Sequence, residues 1–405
     1  KDPNIIISLV LETNTHIEIH AKLDYPAPSC PHCHGKMIKY DFQKPSKIPL
    51  LEQAGTSTLL RLKKRRFQCK VCKRVTVAET SIVEKNHQIS NLVRQKVAQL
   101  LTEKVSLTDI ARRLRVSTST VYRKLDQFTF KEHYDKLPAV MSWDEFGFKK
   151  GELAFVAQNY ETNKLITILD NRRQTTIRNY FLKYPLKVRQ KVRFITMDMS
   201  GAYMPLARRL FPNAEIIIDR FHIIQHLGRA FLKTRIAIMN QFDKKSLPYR
   251  ALKNHWRLFQ KDSRKLSLNP FYSKTFHQTL CPHEVVEKTL NFSEELTNYY
   301  NLYQLLLFHF QEKRGDEFFE LIEENISKVN HYFKTVFRTF RKHKQYIKNA
   351  LETDYSNAKL EATNKLIKDI KRLGFGFRNF INFKKRVFIT LNIHKKRTYP
   401  VLSRC

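Results

Sequence analysis

The pattern of apolar and polar residues changes along the chain. Up to about Ser81 the two types alternate, as in the run His16-Ile-Glu-Ile-His20, and a period of two is typical of strands. From about Ser90 to Tyr134 apolar residues recur every three or four positions, which predicts helices. We therefore expect a small β-rich region followed by a helical one.

The central part, from Ala139 to Ile224, mixes strand-like and helical runs. The expected elements are strands at Val140–Phe146, Leu153–Asn159 and Leu165–Leu169, a helix at Thr175–Leu182 and a strand at Val192–Asp198. Residues 225–350 are expected to be almost wholly helical. The segment Ser356–Lys395 is predicted to form a basic helix, a Gly-Phe-Gly-Phe break and a second helix.

The composition of the chain also indicates a binding partner. Among 405 residues, 74 Lys and Arg face 37 Asp and Glu, which leaves a net charge of +37. Such a field attracts a polyanion and predicts salt-dependent binding to nucleic acid. No apolar run reaches the roughly 18–20 residues that a membrane span requires. We expect no membrane contact and a cytoplasmic, nucleoid-associated protein of a bacterium.

Four cysteines form two close pairs, Cys30-Pro-His-Cys33 and Cys69-Lys-Val-Cys72, with 35 residues between the pairs. Each pair presents two thiolates at the spacing of a tetrahedral zinc site, so one structural Zn²⁺ is predicted. His32 or His34 could replace a cysteine, but both are more typical of exposed positions. The segment between the pairs has room for a strand hairpin, for example Thr58–Gln68. The basic residues Lys63, Lys64 and Arg65 nearby are expected to contact phosphates.

The run from Ser106 to Leu125 predicts a helix-turn-helix. Ser106 with Asp109 can cap the first helix, and Ser117 can cap the second. The residues expected on the buried faces are Ile110, Ala111, Leu114, Val121 and Leu125. The residues expected to point outward, toward the major groove of DNA, are Thr118, Ser119, Tyr122 and Arg123. An ordinary helical hairpin is the alternative.

Two aspartates end predicted strands, Asp144 near the end of the first and Asp198 at the end of the fourth. The β-β-β-α-β order resembles an RNase H-like core, in which these two strands are neighbours. Carboxylates brought together repel each other, and a divalent cation relieves that cost. Glu361 is the best third candidate, because Asn364, Lys365 and Lys368 share its face of a helix by i+3 and i+4 spacing.

These motifs resemble those of a DDE transposase of a bacterial insertion sequence, of the ISL-three family. The resemblance is carried by the cysteine pairs, by SWDEFGF around Asp144, by ITMDMSGAY around Asp198, by IIIDRFHIIQH, and by SNAKLEATNKLIKDIKRLGFGFRNFINFKKR. It implies that Asp144, Asp198 and Glu361 are a catalytic triad that binds Mg²⁺ or Mn²⁺, with two ions expected. It also implies that the zinc ribbon and helix-turn-helix bind double-stranded DNA at the terminal inverted repeats of the element. Asp219 and His222 are expected to support the site from behind the metal ligands rather than to bind metal.

The expected fold is multidomain α+β, with an RNase H-like α/β core interrupted by an all-helical insertion. The expected segments are a zinc ribbon at 1–82, a helix-turn-helix at 83–136, the first part of the core at 137–230, the insertion at 231–350, and the second part of the core with the catalytic glutamate at 351–405. Lys365, Lys368, Arg372, Arg378 and the run Lys384–Arg386 are expected to contact phosphates. Trp256 could stack on an unpaired base, although a core position is more typical of tryptophan.

The predicted activity is metal-dependent strand cleavage followed by transfer of the freed 3′-hydroxyl to target DNA, by a homodimer on DNA. Two alternatives stay open. A transposase-derived regulator would bind DNA without cutting it, and an RNase H-like nuclease would hydrolyse without joining. A serine or tyrosine recombinase is disfavoured, because no nucleophile stands in a recognisable arginine-histidine setting.

Overall fold

The computed structural model describes residues 2–374, 377 and 379–393, and the chain forms two compact units. One unit comprises the residues up to Glu132 together with those from Lys365 onward, and the other comprises His133–Asn364. Arg378 lies outside the described residues, so its predicted phosphate contact stays a prediction.

Strands and helices are numbered in chain order. The strands are β1 (Ile5–Glu12), β2 (Ile17–Leu23), β3 (Met37–Phe42), β4 (Ser46–Pro49), β5 (Thr58–Cys69), β6 (Val75–Val77), β7 (Val140–Lys149), β8 (Glu152–Asn159), β9 (Leu165–Leu169), β10 (Phe194–Met197), β11 (Glu215–Ile218), β12 (Phe271–Ser273) and β13 (Gln278–Leu280). The helices are α1 (Asn91–Leu101), α2 (Leu107–Arg113), α3 (Thr118–Gln127), α4 (Gln174–Phe181), α5 (Leu186–Arg189), α6 (Tyr203–Leu210), α7 (Arg220–Met239), α8 (Leu247–Asn254), α9 (Trp256–Phe259), α10 (Pro282–Leu290), α11 (Glu294–Gln311), α12 (Gly315–Asn325), α13 (His331–Lys342), α14 (Lys344–Glu352), α15 (Ala358–Leu373) and α16 (Phe380–Asn392). No helix among the described residues is both long enough and apolar enough to cross a membrane.

The N-terminal sheet is organised around β5. This strand pairs in parallel with β2 and antiparallel with β3, β4 and β6. The predicted hairpin at Thr58–Gln68 is therefore wrong, because these residues form one continuous strand. Inward side chains at every second position, Leu60 and Leu62 among them, pack with Leu23, Ile48 and Phe67 in a small apolar core.

Helices α2 and α3 form the predicted helix-turn-helix, and α1 packs against both. The Ser106 hydroxyl accepts from the backbone N–H of Asp109 at 3.0 Å, and the Ser117 hydroxyl accepts from that of Thr120 at 3.2 Å. Ile110, Ala111, Val121 and Leu125 are buried in one cluster, as expected for the inner faces of the two helices. The caps and the apolar spacing thus define this motif together.

The last described helix, α16, packs on α1 and α3. Ile389 enters their apolar cluster. Arg386 is buried and donates to the carbonyls of Leu101, Glu103 and Val105, the last two at 2.7 and 2.6 Å. Its guanidinium thereby satisfies carbonyls at and beyond the end of α1.

The second unit contains the predicted β-β-β-α-β core. Its sheet has the order β11-β10-β7-β8-β9, with β10 parallel to both β7 and β11. Trp143 is fully buried and stacks on Phe181 of α4, with ring centroids 5.1 Å apart. The strand order β11-β10-β7-β8-β9 is that of the expected RNase H-like core.

A long insertion follows β11 and runs from α7 to α14. It is helical apart from a short hairpin of β12 and β13, a departure from the expected all-helical insertion. The chain returns to the sheet through α14, where the side chain of Asn349 donates to the carbonyl of Ile216 at 3.1 Å. The division into five segments stays a prediction.

Candidate active site

Three acids lie at one edge of the central sheet. In the parallel register, Thr196 pairs with Ser142 and Met197 pairs with Ile218. Asp198 directly follows β10, so it is level with Asp144 on one side and with Asp219 on the other. Parallel strands thus bring residues separated by dozens of positions to the same edge.

A histidine joins this edge from the first turn of α7. His222 Nε2 lies 3.2 Å from Asp198 Oδ1. Ligand atoms of Asp198, Asp219 and His222 lie within 4.8 Å of one another, close enough to share one metal ion. The pair expected only to support the site is therefore placed in reach of a metal itself.

Glu361 approaches the same edge from α15. Its backbone N–H donates to the carbonyl of Asn357 at 2.9 Å, one helical turn earlier. Its charge raises the pKa of Asp198, although less than burial and the charge of Asp219 do. The two carboxylates are therefore within electrostatic reach of each other, although more than 160 residues separate them in sequence.

Asn357 fixes the start of that helix to the sheet. It is fully buried, its Nδ2 donates to the carbonyl of Trp143 at 3.3 Å, and its Oδ1 accepts from Thr196 Oγ1 at 3.1 Å. Its backbone N–H donates to Asp219 Oδ1 at 3.4 Å. Sequence reasoning missed this residue, and its position one turn before Glu361 was the available signal.

Asn364 forms a hydrogen bond to Asp144, the aspartate on β7. Its Nδ2 donates to Asp144 Oδ2 at 2.6 Å and to the carbonyl of Glu145 at 3.4 Å. The other carboxylate oxygen, Asp144 Oδ1, accepts from the backbone N–H of Glu145 at 2.7 Å. The sequence placed Asn364 on the face of Glu361 but gave it no role.

The site is electrostatically strained. Burial, followed by the charge of Asp198, raises the pKa of Asp144 to about 7. Burial also raises the pKa of Asp198, and the nearby charge of His222 opposes that shift. Clustered carboxylate oxygens that hinder one another's ionisation are a donor set suited to a hard divalent cation.

The four predicted cysteines converge in a second cluster. Cys30 Sγ lies 3.6 Å from Cys72 Sγ, and Cys33 Sγ lies 3.5 Å from Cys69 Sγ. All four sulfurs lie within 4.8 Å of one another. A hydrogen bond from the backbone N–H of Cys72 does most to lower the pKa of the Cys69 thiol to about 6, which favours the thiolate that zinc binds.

Two turns build the cysteine cluster. Backbone N–H groups of His34 and Lys73 donate back to the carbonyls of Cys30 and Cys69, at 2.9 and 3.1 Å. His32 and His34 are exposed, as expected, and His32 Nδ1 lies 2.6 Å from an Arg74 guanidinium nitrogen. The cluster is a cysteine-only zinc site of the ribbon type.

The residues expected to contact DNA from α3 are accessible. Ser119, Tyr122 and Arg123 are exposed, and Thr118 is partly exposed. Their role stays a prediction.

The basic run on β5 is less available than expected. Lys63 is exposed, but only 8% of Lys64 is accessible, so its phosphate contact stays a prediction that this burial disfavours. Burial lowers the pKa of Lys64. Arg65 donates two hydrogen bonds to the carboxylate of Asp24, at 3.1 and 2.8 Å. Alternation along a strand turns every second side chain inward, which explains why Lys64 is buried.

The basic residues near the C-terminus also differ in how accessible they are. Lys365, Lys368 and Arg372 are exposed on α15, although Arg372 is paired with Asp369 at 2.9 Å. The run Lys384–Arg386 is not free for phosphates: the first two pair with Glu132 and Asp126, and Arg386 is buried.

Comparisons with known proteins agree with these motifs. The model of the ISL3 DDE domain, described as a transposase, matches residues 141–387, more than half of the chain. Models described as the helix-turn-helix domain of transposase family ISL3 and as the zinc finger of the IS204/IS1001/IS1096/IS1165 transposases match residues 78–129 and 26–72.

Two relatives are similar over part of their length. The transposase for insertion sequence element IS1001 of Bordetella parapertussis is 24% identical over 221 residues, which are 53% of this chain and 53% of that protein. A Lactococcus lactis subsp. lactis protein named "ATP-dependent protease" is 42% identical over 106 residues, which are 26% of this chain and 34% of that protein. The chain spans a third to about half of the length of these relatives.

Proposed function

The chain belongs to the ISL3 family of DDE transposases, and on that premise we propose that it is a DNA transposase that cuts at the ends of an insertion sequence and joins them to target DNA. The observation that supports the proposal is the electrostatic coupling of Asp198 to both other acids: its charge raises the pKa of Asp144, and the charge of Glu361 raises the pKa of Asp198. A protein that only binds DNA gains nothing from burying repelling acids beside a polyanion.

We assign the catalytic metal to Asp144, Asp198 and Glu361, with Asp219 and His222 as neighbouring donors. Bound Mg²⁺ or Mn²⁺, two ions in the full site, would activate the attacking oxygen and stabilise the leaving one. The chain's own residues do the positioning. Asn364 orients the carboxylate of Asp144, His222 holds that of Asp198, and Asn357 fixes the helix that carries Glu361.

Cleavage and joining displace one phosphate oxygen by another in line, so one site can serve both steps. Water is the attacking group in the first step, and the freed 3′-hydroxyl is the attacking group in the second. The half-ionised Asp144, with a pKa of about 7, would be fully ionised once a cation offsets the neighbouring charge.

DNA recognition is assigned to the N-terminal modules together with the exposed lysines of α15. The exposed residues Ser119, Tyr122 and Arg123 would contact bases of the inverted repeat from α3. Lys63, Lys365 and Lys368, all exposed, would contact phosphates. We also propose that the protein works as a homodimer that holds two element ends.

The protease name of one relative carries no proposal for this chain, because the shared segment is about a quarter of it. Nor does the GxxxxGK[ST] loop of many ATPases occur in the sequence.

The test is direct. Purified protein is incubated with labelled duplexes from the element's ends, in Mg²⁺ and in EDTA, with a target plasmid present. Nicked ends and joined products that depend on Mg²⁺ are expected. Binding without nicking would instead support a DNA-binding regulator, and nicking without joined products would support a nuclease.

A further inference from the structure

Arg172 lies at the edge of the sheet that carries the acids of the candidate active site. β8 is antiparallel to both β7 and β9, so β7 and β9 run in the same direction. In the register, Glu145 of β7 pairs with Phe155 of β8, which in turn pairs with Leu169 at the end of β9. The chain leaves the sheet there, and Arg172 follows three residues later. The topology thus brings an arginine to the row of residues next to Asp144.

One ion pair holds Arg172 at this edge. Its Nη1 lies 2.8 Å from Oε2 of Glu145, and 57% of the arginine side chain is exposed, against 22% of the glutamate side chain. The turn around it is fixed by Asn171, whose Oδ1 accepts from the backbone N–H of Arg173 at 3.0 Å. A guanidinium has five N–H donors, and within the described part of the chain Glu145 is the one partner of this side chain. Most of these donors therefore remain accessible.

Glu145 is otherwise unfavourable at this position. Its charge raises the pKa of Asp144, although less than burial and the charge of Asp198 do. A further carboxylate beside a centre that cuts DNA also repels the phosphates of its substrate. What Glu145 contributes is the position of a cation, since its side chain pairs with Arg172. A guanidinium held by one carboxylate can donate its other N–H groups to a phosphate.

The position of Arg172 favours a phosphate beside the scissile one. Trp143 faces Phe181 of α4, whereas Asp144 faces Asn364 of α15. Glu145 shares the face of Trp143, because side chains alternate along a strand. The guanidinium is therefore offset from the oxygen ligands of Asp144.

We infer that Arg172 binds a DNA phosphate that flanks the cleavage site and so positions the strand for cleavage, with Glu145 holding the guanidinium. The inference rests on the proposed function for the identity of that strand. A charge-assisted contact of this kind fixes where a strand lies but reads no base sequence. It would add a positioning contact that the metal ligands themselves do not supply.

Binding to a short duplex that spans the cleavage site tests the inference. It is measured in Ca²⁺, apart from the Mg²⁺-dependent reaction, for wild type, Arg172→Ala and Arg172→Lys at several salt concentrations. In a second series, each phosphate near the cleavage site is replaced in turn by a neutral methylphosphonate. The matched control is Arg173→Ala, because Arg173 is the next residue, is exposed and forms no ion pair with any residue that the structure describes.

Arg172→Ala is expected to weaken binding about five- to tenfold and to reduce the slope of log affinity against log salt by about one, since one phosphate contact is lost. One methylphosphonate position should weaken binding by wild type to the same extent and should not weaken binding by Arg172→Ala any further. Arg172→Lys should recover part of the affinity, because an ammonium lacks the planar fork of a guanidinium. Arg173→Ala should match wild type. Equal affinity and slope in Arg172→Ala and wild type would overturn the inference, as would methylphosphonate effects that are the same in both proteins.

Cleavage in Mg²⁺ distinguishes a DNA contact from a purely structural ion pair. Arg172→Ala should slow cleavage about tenfold or more, because the strand is positioned less well. Glu145→Gln keeps the guanidinium and should slow cleavage less. Equal losses in these two variants, with DNA affinity as in wild type, would show that the ion pair is structural and would overturn the inference. Circular dichroism and zinc content would establish that each variant is folded.

The outcome is separable from that of the proposed function. If wild type fails to nick element ends while the methylphosphonate difference between wild type and Arg172→Ala persists, the transposase proposal fails and the phosphate contact stands. If wild type nicks the ends and Arg172→Ala binds the duplex normally, only the phosphate contact fails.

Discussion

The cysteine cluster and the carboxylate cluster are both sets of metal ligands, but the chain builds them in opposite ways. The cysteines come from two short turns within residues 30–72. A backbone N–H lowers the pKa of Cys69 to about 6, whereas, against a backbone hydrogen bond from Arg74, burial and the neighbouring thiols raise the pKa of Cys72 to about 11. The acids come from residues 144–361. Burial raises the pKa of Asp144 and of Asp198, which disfavours the ionised carboxylates that bind a cation. The first site presents four sulfurs held close together by two short turns, which is typical of structural zinc. In the second site the carboxylates repel one another until a cation binds. Such a site suits an ion that is bound together with the substrate.

The largest expected effect is on chemistry at the carboxylate cluster. Asp198→Asn should reduce strand cleavage by at least about 10³-fold, because the variant loses the carboxylate between Asp144 and Asp219. Binding to the inverted repeat should be unchanged in a mobility-shift assay. The control is Asp170→Asn, an exposed aspartate directly after β9 of the same sheet. Full cleavage by Asp198→Asn in Mg²⁺ would remove the assignment.

Substitution of a cysteine in the cluster should cause local unfolding. Cys69→Ser is expected to lose bound zinc and to make the N-terminal sheet sensitive to protease, because structural zinc supplies folding free energy to small ribbons. DNA binding should fall with it, while the central sheet stays protected from proteolysis. Zinc is measured by mass spectrometry, and Cys281→Ser serves as control because Cys281 lies outside the cluster. Retained stoichiometric zinc would contradict a four-cysteine site.

The acids also depend on neutral side chains, unlike the cysteines. Asn357→Ala removes the buried amide that donates to the Trp143 carbonyl and accepts from the Thr196 hydroxyl, although that hydroxyl keeps its hydrogen bond to Ser142, and the change should lower the free energy of unfolding by about 1–3 kcal/mol. Cleavage should fall about 10–100-fold, as for other residues that orient metal ligands. Urea unfolding and cleavage rates measure the two effects, with the exposed Asn213→Ala as control. Wild-type cleavage by a destabilised Asn357→Ala would make this residue purely structural.

The smallest expected effect is on the pH dependence of stability, which distinguishes the carboxylate cluster from the cysteine cluster. The raised pKa of Asp144 means that between about pH 4 and pH 7 the folded chain binds more protons than the unfolded one, so stability declines as pH rises through this window. Without divalent ions at about pH 8, Asp144→Asn should therefore stabilise the protein, by about 1–3 kcal/mol. Mg²⁺ should raise the Tm of wild type more at about pH 8 than at about pH 5.5. A destabilised Asp144→Asn, or a Mg²⁺ effect independent of pH, would show that repulsion at this site is negligible.

The two clusters were also unequally predictable from sequence. The cysteines could be assigned fully, since each pair fixes its own geometry within four residues. Asp198 could be placed because it directly follows a strand. Asp144 is level with it on the neighbouring parallel strand, although β7 continues to Lys149 and Asp144 was expected near the strand end. The closeness of Asp219 and His222 to Asp198 could not be predicted, because it depends on where α7 leaves β11.

Surface charge was the least predictable feature. Lys64 and Arg386 belong to basic runs that suggest phosphate contact, yet both are buried. Period-two alternation could have identified Lys64, since its neighbours Leu60 and Leu62 share its inward face. Nothing local could have identified Arg386, whose carbonyl partners lie more than 280 residues earlier in the chain.

Asn357 also bears on how this protein can diverge. Its side chain fastens the glutamate helix directly to the strands, at Trp143 and Thr196, so alignment of the acids does not rely on the long excursion between α7 and α14. Changes in the length or sequence of that excursion should therefore leave the arrangement of the carboxylate cluster unchanged. A single amide thus makes the geometry of the acids independent of the insertion that separates them in sequence.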